Sequence, residues 1–147
     1  MLERILVPTD GSPRSDRAVK AAAILAKASN GSLTIFTAPP DYQMPPFTDG
    51  YPIDWPAETI FLKETAAATT KLLAHARKIA AALKVDAKVA QARSDSASDA
   101  IVAAAKRERA TMIVMASHGR KGLEKLLLGS ETQKVLARTK LPVLVIR

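Results

Sequence analysis

Two runs in this chain are apolar at every position, Met112-Ile-Val-Met-Ala116 and Pro142-Val-Leu-Val-Ile146, and a third, Ile5-Leu-Val7, lies near its start. A strand that is apolar on both sides needs a sheet covered on both faces, which is the situation of parallel sheets packed between helices. The segments between these runs supply the helices. Ser12 followed by Pro13 is an N-cap with proline at the first helical position, Ala18, Ala22, Leu25 and Ala26 mark one face, and Asn30-Gly31 ends the helix. Residues 32–38 read as a second strand. From about residue 57 to 83, Leu72, Ala76, Ile79, Ala80 and Leu83 recur at helical spacing. Val85, Ala87 and Val89 alternate with Asp86 and Lys88, so residues 85–92 predict a half-exposed strand at a sheet edge. Ser96 with Asp99 opens a third helix whose buried face includes Ile101, Ala104 and Ala105, and Ser130-Glu-Thr-Gln133 reads as a capping box for a fourth, ending near Thr139. Strands alternating with helices imply an α/β fold with right-handed crossovers, and 147 residues suit one domain spanning 1–147.

Composition narrows the function classes. The chain has no cysteine, which excludes disulfides, thiolate catalysis and cysteine-based metal sites, and which fits a reducing, cytoplasmic setting. No apolar stretch approaches the roughly 18 residues of a membrane span. The N-terminus, with Asp10 and Gly11 directly after a short apolar run, does not read as a signal peptide. The net charge is +8, and residues 116–147 carry seven basic against two acidic side chains, a net of +5. A basic end favours an anionic partner, although nucleic-acid binding has only the charge behind it, since no aromatic residues interleave with the basic ones.

Two loops are placed to carry chemistry. One, Pro8-Thr-Asp-Gly-Ser12, leaves the first strand; the other, from Ser117 to Ser130, leaves the fourth. In open α/β sheets ligands bind outside the carboxyl ends of strands, where the strand order reverses. Gly119 and Gly129 permit close backbone approach to an anion and a positive φ if one is needed, the amides opening the helix after Gly129 favour negative charge, Ser130 offers a hydroxyl, and Arg120 and Lys121 add attraction. The competing reading is that Ser130 merely caps its helix and the glycines make turns. Neither a Walker A motif nor G-x-G-x-x-G occurs, so the spacing alone leaves both readings open.

Four segments in order then point to a family: Ile5-Leu-Val-Pro-Thr-Asp-Gly-Ser12, Met115-Ala-Ser-His-Gly119, Leu127-Leu-Gly-Ser130 followed by Gln133-Lys-Val135, and Pro142-Val-Leu-Val145. Across nearly its whole length the chain resembles the universal stress protein family. The resemblance implies a doubly wound, five-stranded parallel sheet of order 3-2-1-4-5 with helices on both faces, Rossmann-like and similar to the adenine nucleotide alpha hydrolases. It also implies a homodimer through the last strand, residues 142–146. Nucleotide-binding members carry G-x2-G-x9-G-[S/T]; here those positions are Ala116, Gly119, Gly129 and Ser130, so the first glycine is replaced by alanine. By resemblance, Gly119 and Ser130 hold phosphates through their amides, Asp10 lies near the adenosine end, and Ala38 and Met115 line the adenine and ribose. Pro8, Thr9, Ser117, His118, Arg120 and Glu131 complete the candidate set. The implied ligand is ATP, AMP or ADP, with or without Mg²⁺, in a stress-response or signalling protein.

Catalysis is not expected beyond slow ATP hydrolysis, because phosphoryl transfer needs metal ligands and a positioned base as well as cations. His118 beside Ser117 lacks an identifiable orienting carboxylate, and neighbours in sequence rarely face each other productively. His75 reads as a surface or satisfied residue, and Leu126-Leu-Leu128 as core or dimer contact. The alternative function is a dimeric interaction module with a vestigial nucleotide site. It would act on a protein partner through residues 39–56, where six of the nine prolines and four of the six aromatics fall, among them Tyr42, Phe47, Tyr51 and Trp55.

Overall fold

A computed structural model describes residues 1–44, 55–120 and 127–147. Along the chain run β1 (Arg4–Pro8), α1 (Pro13–Ser29), β2 (Ser32–Thr37), α2 (Trp55–Ala82), β3 (Lys88–Gln91), α3 (Ala97–Arg107), β4 (Met112–Ala116), α4 (Ser130–Arg138) and β5 (Val143–Ile146). The five strands form one all-parallel sheet in the order β3-β2-β1-β4-β5, as expected.

The period-2 geometry of the strands sorts their side chains onto two faces. Ile5, Val7, Leu33, Ile35 and Val114 face α1 and α2, together with Ala18, Ala22, Ala26, Leu73, Ala76 and Ala80. Leu6, Phe36, Ile113 and Met115 face α3 and α4, with Ala100, Ile101, Ala104, Ala105 and Val135. The alanine-rich face of α1 lets that helix lie close on the sheet; Ala18, Ala22 and Ala23 are fully buried. The caps of α1 and α3 follow the sequence. Ser12 Oγ accepts from the Ser15 amide at 3.2 Å, Ser96 Oγ from the Asp99 amide at 3.4 Å, and Asn30 takes the left-handed conformation, φ 52°, past the end of α1.

The third strand is shorter than its alternation predicts. Pairing with β2 starts only at Thr34↔Lys88, because residues 83–85 still close the end of α2 by bonding back to Ala80 and Ala81, with Lys84 at φ 61°. It does lie at an edge, and Val89 is exposed there. β5 forms the other edge; all four of its residues are half-buried. Among the described residues no helix is long and apolar enough to cross a membrane. Of the proline- and aromatic-rich segment, Phe47 and Tyr51 lie outside the described residues. Tyr42, by contrast, packs on Phe61 of α2 with ring centroids 5.5 Å apart.

Between α1 and β2 the chain passes so close to the N-terminal strand that a Cβ on Gly31 would lie 2.2 Å from the Leu2 carbonyl oxygen. That carbonyl is backbone and cannot swing aside. Gly31→Ala should therefore cost about 1–3 kcal/mol, the range of an overpacked core. The readout is a lower urea midpoint at unchanged slope; an unchanged midpoint would show that the turn yields freely.

Candidate functional site

β1 and β4 are neighbours, and the chain leaves them in opposite directions across the sheet, so the loops after Pro8 and Ala116 meet at the point where strand order reverses. The first loop is internally tied. Thr9 donates its amide to the Phe36 carbonyl at 2.8 Å, continuing the β1–β2 ladder, and its hydroxyl lies 3.0 Å from that of Ser15. Gly11 takes φ 78°, a conformation that disfavours any side chain.

Asp10 joins the two loops. Its Oδ1 accepts from the Ser12 amide at 2.9 Å, and its Oδ2 accepts from the Arg120 amide at 2.8 Å. Gly119 makes this approach possible, since a Cβ there would lie 2.9 Å from the same Oδ2. Burial, the largest single influence on this carboxyl, acts to raise its pKa. The bonds from Ser12, the Arg120 amide and Ser15 together outweigh it, so Asp10 titrates below its ordinary value. Arg120 also brings its guanidinium over the first loop, 3.2 Å from where a Gly11 Cβ would be.

The second loop closes on the start of α4. Gly129 donates its amide to the Ser117 carbonyl at 2.6 Å, and Thr132 Oγ1 donates to the Ala116 and Ser117 carbonyls at 3.0 and 3.2 Å. Gly129, and not Ser130, is the N-cap, and among the described residues no side chain makes a capping bond. This corrects the capping box: Ser130 is already the first helical residue and is exposed. Gln133 donates to the Leu128 carbonyl at 2.9 Å, and Glu131 reaches another helix, accepting from the Ser98 amide at 2.7 Å and pairing with Lys134 at 3.2 Å. Among the described residues nothing accepts from the leading amides of α4, which leaves them for solvent or a ligand.

Two further expectations change. Gly119 and Gly129 do not use positive φ; Gly129 has φ −65°, and glycine is needed there because a Cβ would meet the Ser117 carbonyl oxygen at 3.1 Å and His118 Cα at 3.2 Å. Ala116 lies inside β4 without positive φ and places its methyl in the α1–α2 core, so replacing the motif glycine costs no backbone strain. His118 and Ser117 do touch, Nδ1 to Oγ at 3.1 Å, but both are buried, which withholds the hydroxyl from any substrate. Met115 is buried on the α3–α4 face, and Ala38, just past β2, is half-buried against the same cluster, so these two share a side of the rim. Pro8 is half-buried at the end of β1. Lys121, Gly122 and Leu126 lie outside the described residues, and Leu127 is 78% exposed, so it is not core. His75 is a surface residue whose Nε2 lies 2.8 Å from Asp16 Oδ2, linking α2 to α1. The role of Thr132 was missed by sequence reasoning; a hydroxyl at the third helical position carries no local signal that it will bond backward to a strand.

The fold and its rim define a doubly wound α/β protein with an uncapped helix start at the strand-order reversal. The chain belongs to the universal stress protein family, whose profile matches residues 1–147. Among solved structures it is similar to universal stress protein UspA from Lactobacillus plantarum, with 22% identity over 99% of this chain and 98% of that one and a TM-score of 0.83. A universal stress protein in complex with cAMP is 28% identical over 99% of this chain and 96% of that one, TM-score 0.68. One from Archaeoglobus fulgidus in complex with dAMP is 21% identical over the full length of both chains, TM-score 0.61. No curated protein matches the sequence significantly.

The Asp10 bridge has a stability consequence with a definite sign. Its folded pKa lies below the unfolded value, so its contribution is complete above about pH 3.9 and fades as pH falls through the folded pKa. Asp10→Asn keeps the shape but cannot accept from both amides. It should cost about 1–3 kcal/mol near neutrality, and the gap from the parent should close on acidification. Urea midpoints of both proteins at pH 7 and in acid test this; a gap independent of pH would refute the bridge.

Proposed function

We propose that this protein binds adenine nucleotides, ATP among them, at the rim formed by the β1 and β4 loops, and that it acts in stress response or signalling as a binder and not as an efficient catalyst. The observation that carries the reading is the start of α4. A helix N-terminus with a glycine cap, no capping side chain, an exposed hydroxyl at Ser130 and a location at the strand-order reversal has the features of an anion seat. The relative complexed with cAMP, at 28% identity, supports an adenine nucleotide as that anion.

The charges then orient the ligand. Asp10 is ionised and would repel a phosphate, so the phosphates belong on the Gly129–Ser130 side, near the leading amides of α4. The sugar hydroxyls suit the Asp10 side, and the half-buried Ala38 suits the base, whereas Met115 is itself buried in the same cluster. The same carboxylate is a poor general base, held acidic and spent on two backbone amides. Among the described residues no three His, Asp or Glu side chains gather to hold a metal, so Mg²⁺ would have to be carried largely by the phosphates. In the interaction-module alternative, acting through residues 39–56, Tyr42 would meet a partner while half-buried against Phe61.

Ser130→Asp tests the seat cleanly. A carboxylate at the first helical position favours the helix dipole, so stability should hold or rise by a few tenths of a kcal/mol, while a bound phosphate would meet like charge. ATP affinity by calorimetry, with and without Mg²⁺, should fall at least about tenfold, equivalent to about 1.4 kcal/mol, and adenosine affinity should not change. Equal ATP affinity in both proteins would place the phosphates elsewhere.

The same proposal includes a homodimer through residues 142–146. The Pro142 and Ile146 carbonyls accept from the amides of Ile113 on β4 and of Ser117 just past it, and parallel pairing alternates, so the amides and carbonyls of Val143 and Val145 point away from the sheet. A free apolar edge of this kind invites a second copy. Val145→Pro removes one outward amide without touching the β4 ladder. In sedimentation at micromolar concentration the parent should run as a dimer and the variant as a folded monomer; a monomeric parent would end the idea.

A further inference from the structure

At the opposite end of the sheet from the rim proposed for nucleotide, the C-terminal ends of α3 and α4 line an open groove of about 580 Å³. Its lining combines aliphatic side chains, Val102, Ala105 and Leu141, with the basic Lys106, Arg109 and Lys140. Arg138 also lines it but directs its guanidinium to Ser98 and Asp99. No carboxylate lines the groove, and the acids around it are already paired: Asp99 with Arg138, and Glu108 with Lys88 at 2.6 Å and Arg107 at 3.4 Å.

Cations in the last turn of a helix are ordinarily there to complement its own dipole, which accounts for Lys106 and Arg138. It does not account for Arg109 and Lys140, which lie beyond the helix ends. Arg109 holds a left-handed backbone, φ 51°, and its carbonyl accepts from Arg4 Nε at 2.5 Å, which brings a further basic residue to the same end of the sheet. An aliphatic lining beside Lys106, Arg109 and Lys140, none of them ion-paired among the described residues, calls for an occupant with both apolar and anionic groups.

We propose that this groove is a docking site for an acidic segment of a partner protein, one whose apolar side chains pack on the aliphatic lining while its carboxylates meet Lys106, Arg109 and Lys140. Charge complementarity selects the carboxylates, and the volume accommodates a few apolar side chains. A nucleic-acid strand fits less well, since no aromatic side chain lines the groove to stack a base. The site is independent of the nucleotide reading: the groove precedes β4 and β5, whereas Gly119 and Gly129 follow β4, a separation of at least about 13 Å along the strand.

The test uses the whole protein and a fluorescein-labelled peptide of alternating Glu and Leu, about twelve residues long, followed by anisotropy. A Lys–Leu peptide and an oligo-dT of equal length are the comparisons. Saturable binding of the Glu–Leu peptide is expected, weakened at least about tenfold by Lys106→Glu with Lys140→Glu; both positions are exposed, so the fold should survive. Val102→Ser leaves the charge unchanged and should weaken binding roughly threefold if the aliphatic lining takes part. Absence of saturable binding, full binding by the charge-reversed protein, or equal binding of oligo-dT would overturn the proposal, the last by revealing a general polyanion patch.

Discussion

A single carboxylate holds the rim of this protein together. Asp10 accepts one amide from its own loop, Ser12, and one from Arg120, more than a hundred residues away in sequence. Loops are otherwise the least constrained parts of an α/β fold. Here the β1 and β4 loops are fixed relative to each other by an ionised group with two charge-assisted bonds, and the sheet pairing beneath them, Ile5↔Met112 and Leu6↔Ile113, fixes their roots. The bridge also sets the polarity of the site. Because the carboxylate stays ionised, it would repel an anion placed beside it, which is why the proposed reading puts the phosphates on the α4 side.

That division explains why α4 begins as it does. α1 and α3 each spend a serine hydroxyl on their first turn; α4 has a glycine cap and forgoes that bond. The cost of glycine at an N-cap is only a few tenths of a kcal/mol relative to serine. The helix is anchored by other means: Thr132 bonds two carbonyls at the end of β4, and Glu131 bonds the first turn of α3. With the helix held by its third residue and by a neighbouring helix, its leading amides are not needed for folding.

Much of this was legible in the sequence, and what was not has physical causes. The α/β class followed from periodicity, since runs such as Met112–Ala116, apolar at every position, allow few architectures, and the alternation at Val85–Val89 placed β3 at an edge; the strand order came from the family resemblance. Caps that depend on one residue and its neighbour, Ser12 with Pro13 or Ser96 with Asp99, were equally readable. The fourth cap was not, because Ser130, Glu131 and Gln133 satisfy the capping-box pattern while tertiary partners claim two of them, Glu131 at Ser98 and Gln133 at Leu128. Nor could local sequence show that Ser117 and His118 touch, or that Asp10 reaches Arg120. The first depends on how the loop after β4 turns, and the second exists only because β1 and β4 become neighbours.

The glycine motif itself divides into unlike requirements once the geometry is known. Gly119 is small so that a carboxylate oxygen can come within 2.9 Å of where its Cβ would be, and Gly129 is small so that two stretches of backbone can cross. Neither is there for a left-handed conformation, and the alanine at 116 occupies ordinary strand backbone with its methyl in the core. A motif read as a row of phosphate contacts would treat the alanine as a lesion and the two glycines as equivalent. Physically, position 116 asks for nothing that alanine lacks. Position 129 excludes side chains before any ligand arrives, so a substitution at Gly129 disturbs the loop whether or not a phosphate binds there. Ser130, exposed and free of capping duty, is the residue of the motif whose chemistry can be changed without first changing the fold.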